Sequence, residues 1–294
     1  METNLSPLQI WLHAIRPKTL FASVSPILVG TAVAHHEGGL HLPTALAALA
    51  VALLLQILSN LANDYFDHRK GADAKRIGPL RVMQAGLVSN RQMQIAIALT
   101  TLLAIACGLY LVARGGWPIL LLGLLAIICA IAYTGGPFPL GYNGLGELFV
   151  FIFFGLVGVA GSAYVQTGNL TWLAIVASLP IACLATAIIV VNNLRDIESD
   201  KAAGKHTLAV RLGRLRTIRE YDLLLLIAFV IPQILLFVTD LRWTWLVIPF
   251  ALPIAAQLVR TIRTALGRDL VPVLVGTSRL TFVFAAAFAI GIIL

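Results

Sequence analysis

Charge is scarce in this chain. Only 12% of its 294 residues are Asp, Glu, Lys or Arg, well below the quarter or so that a soluble domain carries, which excludes an ordinary water-soluble fold. Cysteine is nearly absent as well: Cys107, Cys129 and Cys183 each lie inside an apolar stretch without CxxC spacing, which argues against a disulfide framework or a Cys-based zinc site. No polar stretch is long enough for a separate soluble module, so residues 1–294 are expected to form a single integral membrane domain. The start of the chain shows no cleavage-site pattern behind Glu2, and the first apolar helix is expected to stay.

What is plentiful is apolar surface, at 59% of residues. Apolar stretches fall at about 19–36, 43–62, 92–113, 117–134, 145–166, 170–193, 222–239, 243–259 and 279–294, each near the length a membrane span requires. The fold class expected is therefore all-α and polytopic, a bundle of nine transmembrane helices. Ahead of them Leu8, Trp11, Leu12 and Ile15 follow the spacing of a short amphipathic helix lying on the membrane surface.

Basic residues exceed acidic ones by 21 to 13. They sit in the connections between apolar stretches, so they speak for topology and lipid headgroups, and nucleic acid is not an expected partner. With nine spans, every Lys and Arg except Arg114 and Arg242 falls on one side. That places the N-terminus and the polar loops in the cytoplasm and the C-terminus outside.

One pattern repeats. Asn63-Asp64-Tyr65-Phe66-Asp67 follows the second stretch, and Asn192-Asn193-Leu194-Arg195-Asp196 follows the sixth. The simplest account is two related four-helix units plus a ninth helix. Asn63 and Asp67 are four apart, and Asn192, Asp196 and Asp200 are spaced four and four, so helical extensions would align each set on one face. An ionised side chain within a span costs up to about 2.5–3.5 kcal/mol at full depth, so these acids call for compensation. Carboxylate and amide oxygens suit Mg²⁺, which binds through a few carboxylates together with substrate phosphates.

The same loops hold Arg69, Lys70, Lys75, Arg76, Arg81, Arg195, Lys201, Lys205 and Arg211. Of these, Lys70, Arg81, Arg195, Lys201 and Lys205 are the candidates for binding a diphosphate. Positive-inside topology explains many of the outer arginines but leaves the doubled acidic cluster unexplained. The loop from Tyr133 to Asn143 carries no Lys or Arg and reads either as a turn-rich lid or as a connector with Glu147 at a helix start. His35, His36, Glu37 and His41 gather on the opposite, outer face and read as a solvated loop. A secondary transporter would also combine repeats with intramembrane acids, though its acids belong near mid-span.

At these two clusters the sequence resembles the UbiA-type intramembrane prenyltransferases, whose aspartate-rich motifs follow the second and sixth helices. The runs Arg16-Pro17-Lys18-Thr19-Leu20, Gly78-Pro79-Leu80-Arg81, Gly144-Leu145-Gly146-Glu147 and Gly204 to Gly213 are similar to the branch of that family acting on 1,4-dihydroxy-2-naphthoate. The resemblance implies a bacterial inner-membrane enzyme. It would transfer a prenyl group from a polyprenyl diphosphate to that naphthoate, with loss of CO₂ and with Mg²⁺ as cofactor, to give demethylmenaquinol. Another aromatic acceptor is the alternative within the family. Asn63, Asp64 and Asp67 match the first metal motif and Asn192, Asp196 and Asp200 the second, with Asp64, Asp67, Asp196 and Asp200 as the catalytic carboxylates. Where the broader family often has a third Asp, this chain has Gly71, and Asp73 comes two later. The acceptor brings its own carboxylate, for which Arg16 and Lys18 are placed at the start of the first span, with Tyr142 as an aromatic contact.

Overall fold

The computed structural model describes residues 5–71 and 80–294, and Asp73, Lys75 and Arg76 lie outside the described residues. Helix α1 (Pro7–Ile15) opens on a capping box: Ser6 Oγ accepts from the Gln9 amide and Gln9 Oε1 from the Ser6 amide. Its Leu8 and Leu12 are exposed while Ala14 is buried, as in a helix that rests an apolar side on the membrane surface. Arg16 ends it at φ 57°, the one non-glycine residue with positive φ among the described residues. The chain then bends by 47° into α2 (Phe21–His36).

Helix α3 (Leu42–Arg69) continues past the apolar run and carries the first acidic motif on its last turns. Gly116, at φ 70° and ψ −160°, makes the sharp turn between α4 (Asn90–Gly115) and α5 (Trp117–Ala132) that a side chain would forbid. Helix α6 (Gly146–Val150), a π-helical stretch Phe151–Gly161 and α7 (Ser162–Thr167) form one continuous span. Then come α8 (Trp172–Arg195), the short α9 (Ile197–Ala202) and α10 (Leu208–Leu212), and the long α11 (Arg214–Val238), α12 (Val247–Thr264) and α13 (Leu270–Ile293).

Seven helices among the described residues are long and apolar enough to cross a membrane, or up to eight if the bent pair around Leu20 counts as one span. The expected nine is reached only if α5, an apolar helix of 16 residues, also crosses. Two boundaries differ from the apolar runs. Helix α11 begins at Arg214, because its first turns are helical yet polar and a hydrophobicity criterion starts counting only after them. Helix α13 begins at Leu270, because its first turns are apolar but Gly276, Thr277, Ser278 and Arg279 divide them from the longer apolar run that follows.

Helix α8 is the centre of the bundle. Of its most apolar window 72% is buried, against 11% for α4, which turns Leu99, Leu102 and Leu103 outward. It packs on α11, α13 and the π-helical stretch. The last of these comes close because Gly155 has no side chain; a Cβ there would run into Ala182. Tyr221 of α11 meets Thr277 of α13 through their hydroxyls at 3.0 Å, with both side chains buried. Helix α13 also lies along α2, so the last helix closes on the first.

Candidate active site

The acidic ends of α3 and α8 face one polar cavity of about 210 Å³. Asn63, Asp67, Asn192, Asp196 and Asp200 all contribute to its wall, as do Arg16, Arg81, Tyr142 and Lys205. Asp67 is the hub. Tyr142 Oη donates to its Oδ1 at 2.6 Å, Arg81 Nη2 donates to its Oδ2 at 3.2 Å, and Lys205 Nζ lies 3.6 Å from Oδ1. The same ammonium is 3.4 Å from Asp200 Oδ1, so one lysine spans the carboxylates of both motifs. Asp200 is buried, and burial pushes its carboxyl up to about 6; Lys205 opposes the rise and Asp196 adds to it.

The loop after α5 is held over this cluster by specific bonds. Thr134 Oγ1 donates to Asn63 Oδ1 at 3.0 Å, and Lys70 Nζ donates to the Thr134 carbonyl at 2.7 Å. The amide of His206 donates to the Tyr142 carbonyl at 2.8 Å, and Arg211 reaches the Asn143 carbonyl at 2.9 Å. Lys70 and Lys205 both stand over the Tyr142 ring, 4.8 and 4.4 Å from its centroid, a placement its π-face favours. Burial lowers the Lys70 ammonium below its ordinary value, with Asp67 opposing and Lys205 adding to the fall. Glu147 stands in the first turn of α6 and accepts from Asn193 Nδ2 at 2.8 Å, linking that helix start to the end of α8.

Several residues singled out in the sequence stand elsewhere. Asp64 faces the chain after α3, accepting from the Val82 amide at 3.1 Å, and does not line the cavity. The fork of Arg195 is engaged by Asp196, with Nε donating at 2.7 Å, and by Asn192 Oδ1 at 2.9 Å. It lies buried behind the wall as the orienting partner of an acid. Lys18 and Lys201 are exposed and outside the cavity. The expected continuous stripe through 192, 196 and 200 is also interrupted: α8 ends at Arg195, and Asp196 turns the chain at φ −98° and ψ 6° into α9.

Sequence reasoning passed over a row on α3. Gln56, Ser59 and Asn60 precede Asn63 and Asp67 at helical spacing, a polar stripe whose signal is diluted by the surrounding leucines. Gln56 and Ser59 line the polar cavity and also a second, apolar cavity of about 260 Å³ between α2, α3, α4, α5 and the π-helical stretch. Tyr133, Val150 and Phe154 are likewise shared by both. The Tyr133 ring sits in a slot made by two glycines: a Cβ on Gly141 would be 2.8 Å from its Cε1, and one on Gly146 would be 2.7 Å from its hydroxyl.

The donor set tells which cation the cavity suits. Among the described residues no three His, Cys, Asp or Glu side chains come close enough to enclose a metal ion, which disfavours an all-protein cage. Oxygen donors from carboxylates and amides on facing helix ends, beside Arg81 and Lys205, fit Mg²⁺ shared with phosphate oxygens and water. The acids lie at helix ends, not at mid-span, and a long apolar chamber adjoins them. That arrangement suits an amphiphile with an anionic head and a hydrocarbon tail.

Comparison with known proteins agrees. The UbiA prenyltransferase family matches residues 23–273. The 1,4-dihydroxy-2-naphthoate octaprenyltransferase of Escherichia coli (strain K12) is 45% identical over 253 residues, covering 83% of this chain and 82% of that protein. The protein of the same name from Mycobacterium tuberculosis is 38% identical over 281 residues, covering 95% of each. A UbiA homolog from Archaeoglobus fulgidus, solved bound to GPP and Mg²⁺, shares the fold with a TM-score of 0.64 at 17% identity, covering 97% of this chain and 99% of the other.

Proposed function

The chain belongs to the UbiA prenyltransferase family, and we propose that it transfers a polyprenyl group from its diphosphate to 1,4-dihydroxy-2-naphthoate, releasing diphosphate and CO₂ and yielding demethylmenaquinol. One observation carries the reading: the carboxylates of both motifs, Arg81 and Lys205 converge on a polar cavity that shares Gln56, Ser59, Tyr133, Val150 and Phe154 with an adjoining apolar one. A prenyl diphosphate divides its own chemistry in the same way. The named relatives support the choice of acceptor.

In this reading Asn63, Asp67, Asn192, Asp196 and Asp200 hold Mg²⁺, which when bound supplies positive charge to the leaving diphosphate. Arg81 and Lys205 contact the phosphate oxygens and neutralise the charge that grows as the carbon–oxygen bond breaks. Arg195 orients Asp196, and Asp64 anchors the chain after α3 through Val82. The prenyl chain lies in the apolar cavity, whose walls keep water from the allylic cation. Tyr133, fixed in its glycine slot, presents an aromatic face at the junction where that cation forms. Arg16 receives the acceptor carboxylate, and Tyr142 shapes the roof. The new carbon–carbon bond forms to the naphthoate ring as diphosphate departs.

The whole of 1–294 serves as one membrane domain, with α5 crossing as one of nine spans. The helices α2 to α5 form one unit of four and those from α6 to α12 a second, with α13 as the ninth. The site faces the cytoplasm of a bacterial inner membrane, and the C-terminus lies outside. Calorimetric titration of pyrophosphate into the purified protein tests the core of this account: binding is expected with Mg²⁺ and lost in excess chelator, and equal binding in both would refute it.

A further inference from the structure

The junction between the two cavities fixes where bond formation takes place. With the diphosphate among the acids and the hydrocarbon in the apolar chamber, the reacting carbon lies between them, and the acceptor ring has to reach it there. This inference rests on the reading of the site given above. Of the five side chains shared by both cavities, Val150 and Phe154 are apolar and Tyr133 is clamped by glycines. Gln56 and Ser59, one helical turn apart on α3, are the remaining polar groups.

The hydrogen bonds around Gln56 determine which of its atoms is on offer. Asn60 is buried, and its Nδ2 donates to the Ile15 carbonyl at 2.8 Å. A carbonyl only accepts, so the Asn60 amide has one orientation, and its Oδ1 must be an acceptor. Gln56 Nε2 donates to that Oδ1 and to Thr19 Oγ1, each at 3.4 Å. The amide of Gln56 is thereby oriented too, leaving Oε1 on the other side, where it accepts from Ser23 Oγ at 3.4 Å. All three of these contacts are longer than the 2.9–3.0 Å typical of such bonds, so a ligand can replace or supplement them at little cost. Ser59 Oγ makes no hydrogen bond among the described residues.

We propose that Gln56 Oε1, assisted by the Ser59 hydroxyl, accepts a hydrogen bond from a ring hydroxyl of a phenolic acceptor and so selects hydroxylated rings at the point of prenyl transfer. Asn60 and Thr19 are positioning residues that hold the carboxamide in this orientation. A phenol supplies the donor that Oε1 lacks at full strength, whereas an aryl hydrogen or an ether leaves it with the long Ser23 contact alone.

The test uses full-length protein in detergent and measures inhibition constants, since removing hydroxyls also changes ring reactivity. The probes are 1,4-dihydroxy-2-naphthoate, 1-hydroxy-2-naphthoate and 4-hydroxy-2-naphthoate. Wild type is expected to bind at least one monohydroxy acid about tenfold more weakly than the parent, as befits one lost hydrogen bond. Gln56→Leu is expected to bind that acid and the parent within about twofold of each other. Ser59→Ala, a smaller change, is expected to show a reduced preference and serves if Gln56→Leu does not fold. Full wild-type discrimination in both variants overturns the inference while leaving the proposed reaction standing. A wild type that binds none of the three naphthoates overturns both.

Discussion

The phenol of Tyr142 donates to the carboxylate of Asp67 across 2.6 Å, tying the loop after α5 to the acidic end of α3. Two lysines stand over the same ring, so one aromatic side chain organises both the acid proposed to hold Mg²⁺ and two neighbouring cations, one of which, Lys205, is proposed to meet phosphate. Tyr142→Phe keeps the ring and removes the donor. A hydrogen bond to a charged group contributes about 1.5–3 kcal/mol, so kcat/KM is expected to fall roughly 10- to 100-fold with little change in thermal stability. Wild-type kinetics in this variant would reduce the bond to a packing detail.

Asp67→Ala and Asp196→Ala should each abolish prenyl transfer while the protein remains folded, because both side chains face a polar cavity and not the core. Asp67→Ala also leaves Arg81 and Lys205 without a shared partner, so its pyrophosphate binding should lose its response to Mg²⁺. Turnover near the wild-type rate in either purified variant would remove these acids from the mechanism.

Arg16 lines the same cavity from the joint between α1 and α2. If it clamps the acceptor carboxylate, Arg16→Ala should raise KM for the naphthoate by roughly 10- to 100-fold, as for a lost charged hydrogen bond, with a much smaller effect on the prenyl diphosphate. Equal effects on both substrates would move Arg16 to the phosphate side. Lys18→Ala should do little, since that side chain is exposed and outside the cavity.

Lys201 is exposed beside the second motif and so reports which side of the membrane the site faces. In a background lacking Cys107, Cys129 and Cys183, a Lys201→Cys variant should react with a membrane-impermeant maleimide only after the cells are opened, and an Arg242→Cys variant in intact cells. The reverse pattern would invert the topology.

Much of this arrangement is legible in the sequence, for reasons that also mark where legibility ends. Apolar runs locate helices because lipid demands them, and the doubled Asn–Asp motif stands out because acids in such surroundings need partners. The polar first turns of α11 escape a criterion that counts only apolar residues, and the break from Gly276 to Arg279 hides the apolar start of α13. Spacing places Asn192, Asp196 and Asp200 on one helical face, yet the backbone at Asp196 leaves the helix and the cavity still receives both acids. Composition puts Lys18 and Lys201 near the site, but only the fold shows that Arg16 turns in where Lys18 turns out, and that Arg195 attends to Asp196. Gln56 and Ser59 were readable in principle as part of a stripe with Asn60, Asn63 and Asp67, hidden by the long apolar run that contains them.

The most direct test of the central claim is an assay of purified protein with a polyprenyl diphosphate and carboxyl-labelled 1,4-dihydroxy-2-naphthoate, following prenylated product and released CO₂ together. The account expects both to appear in equal amounts with Mg²⁺ and neither in excess chelator. Product formed at full rate in chelator, or no product with the naphthoate while another aromatic acid is prenylated, would contradict it.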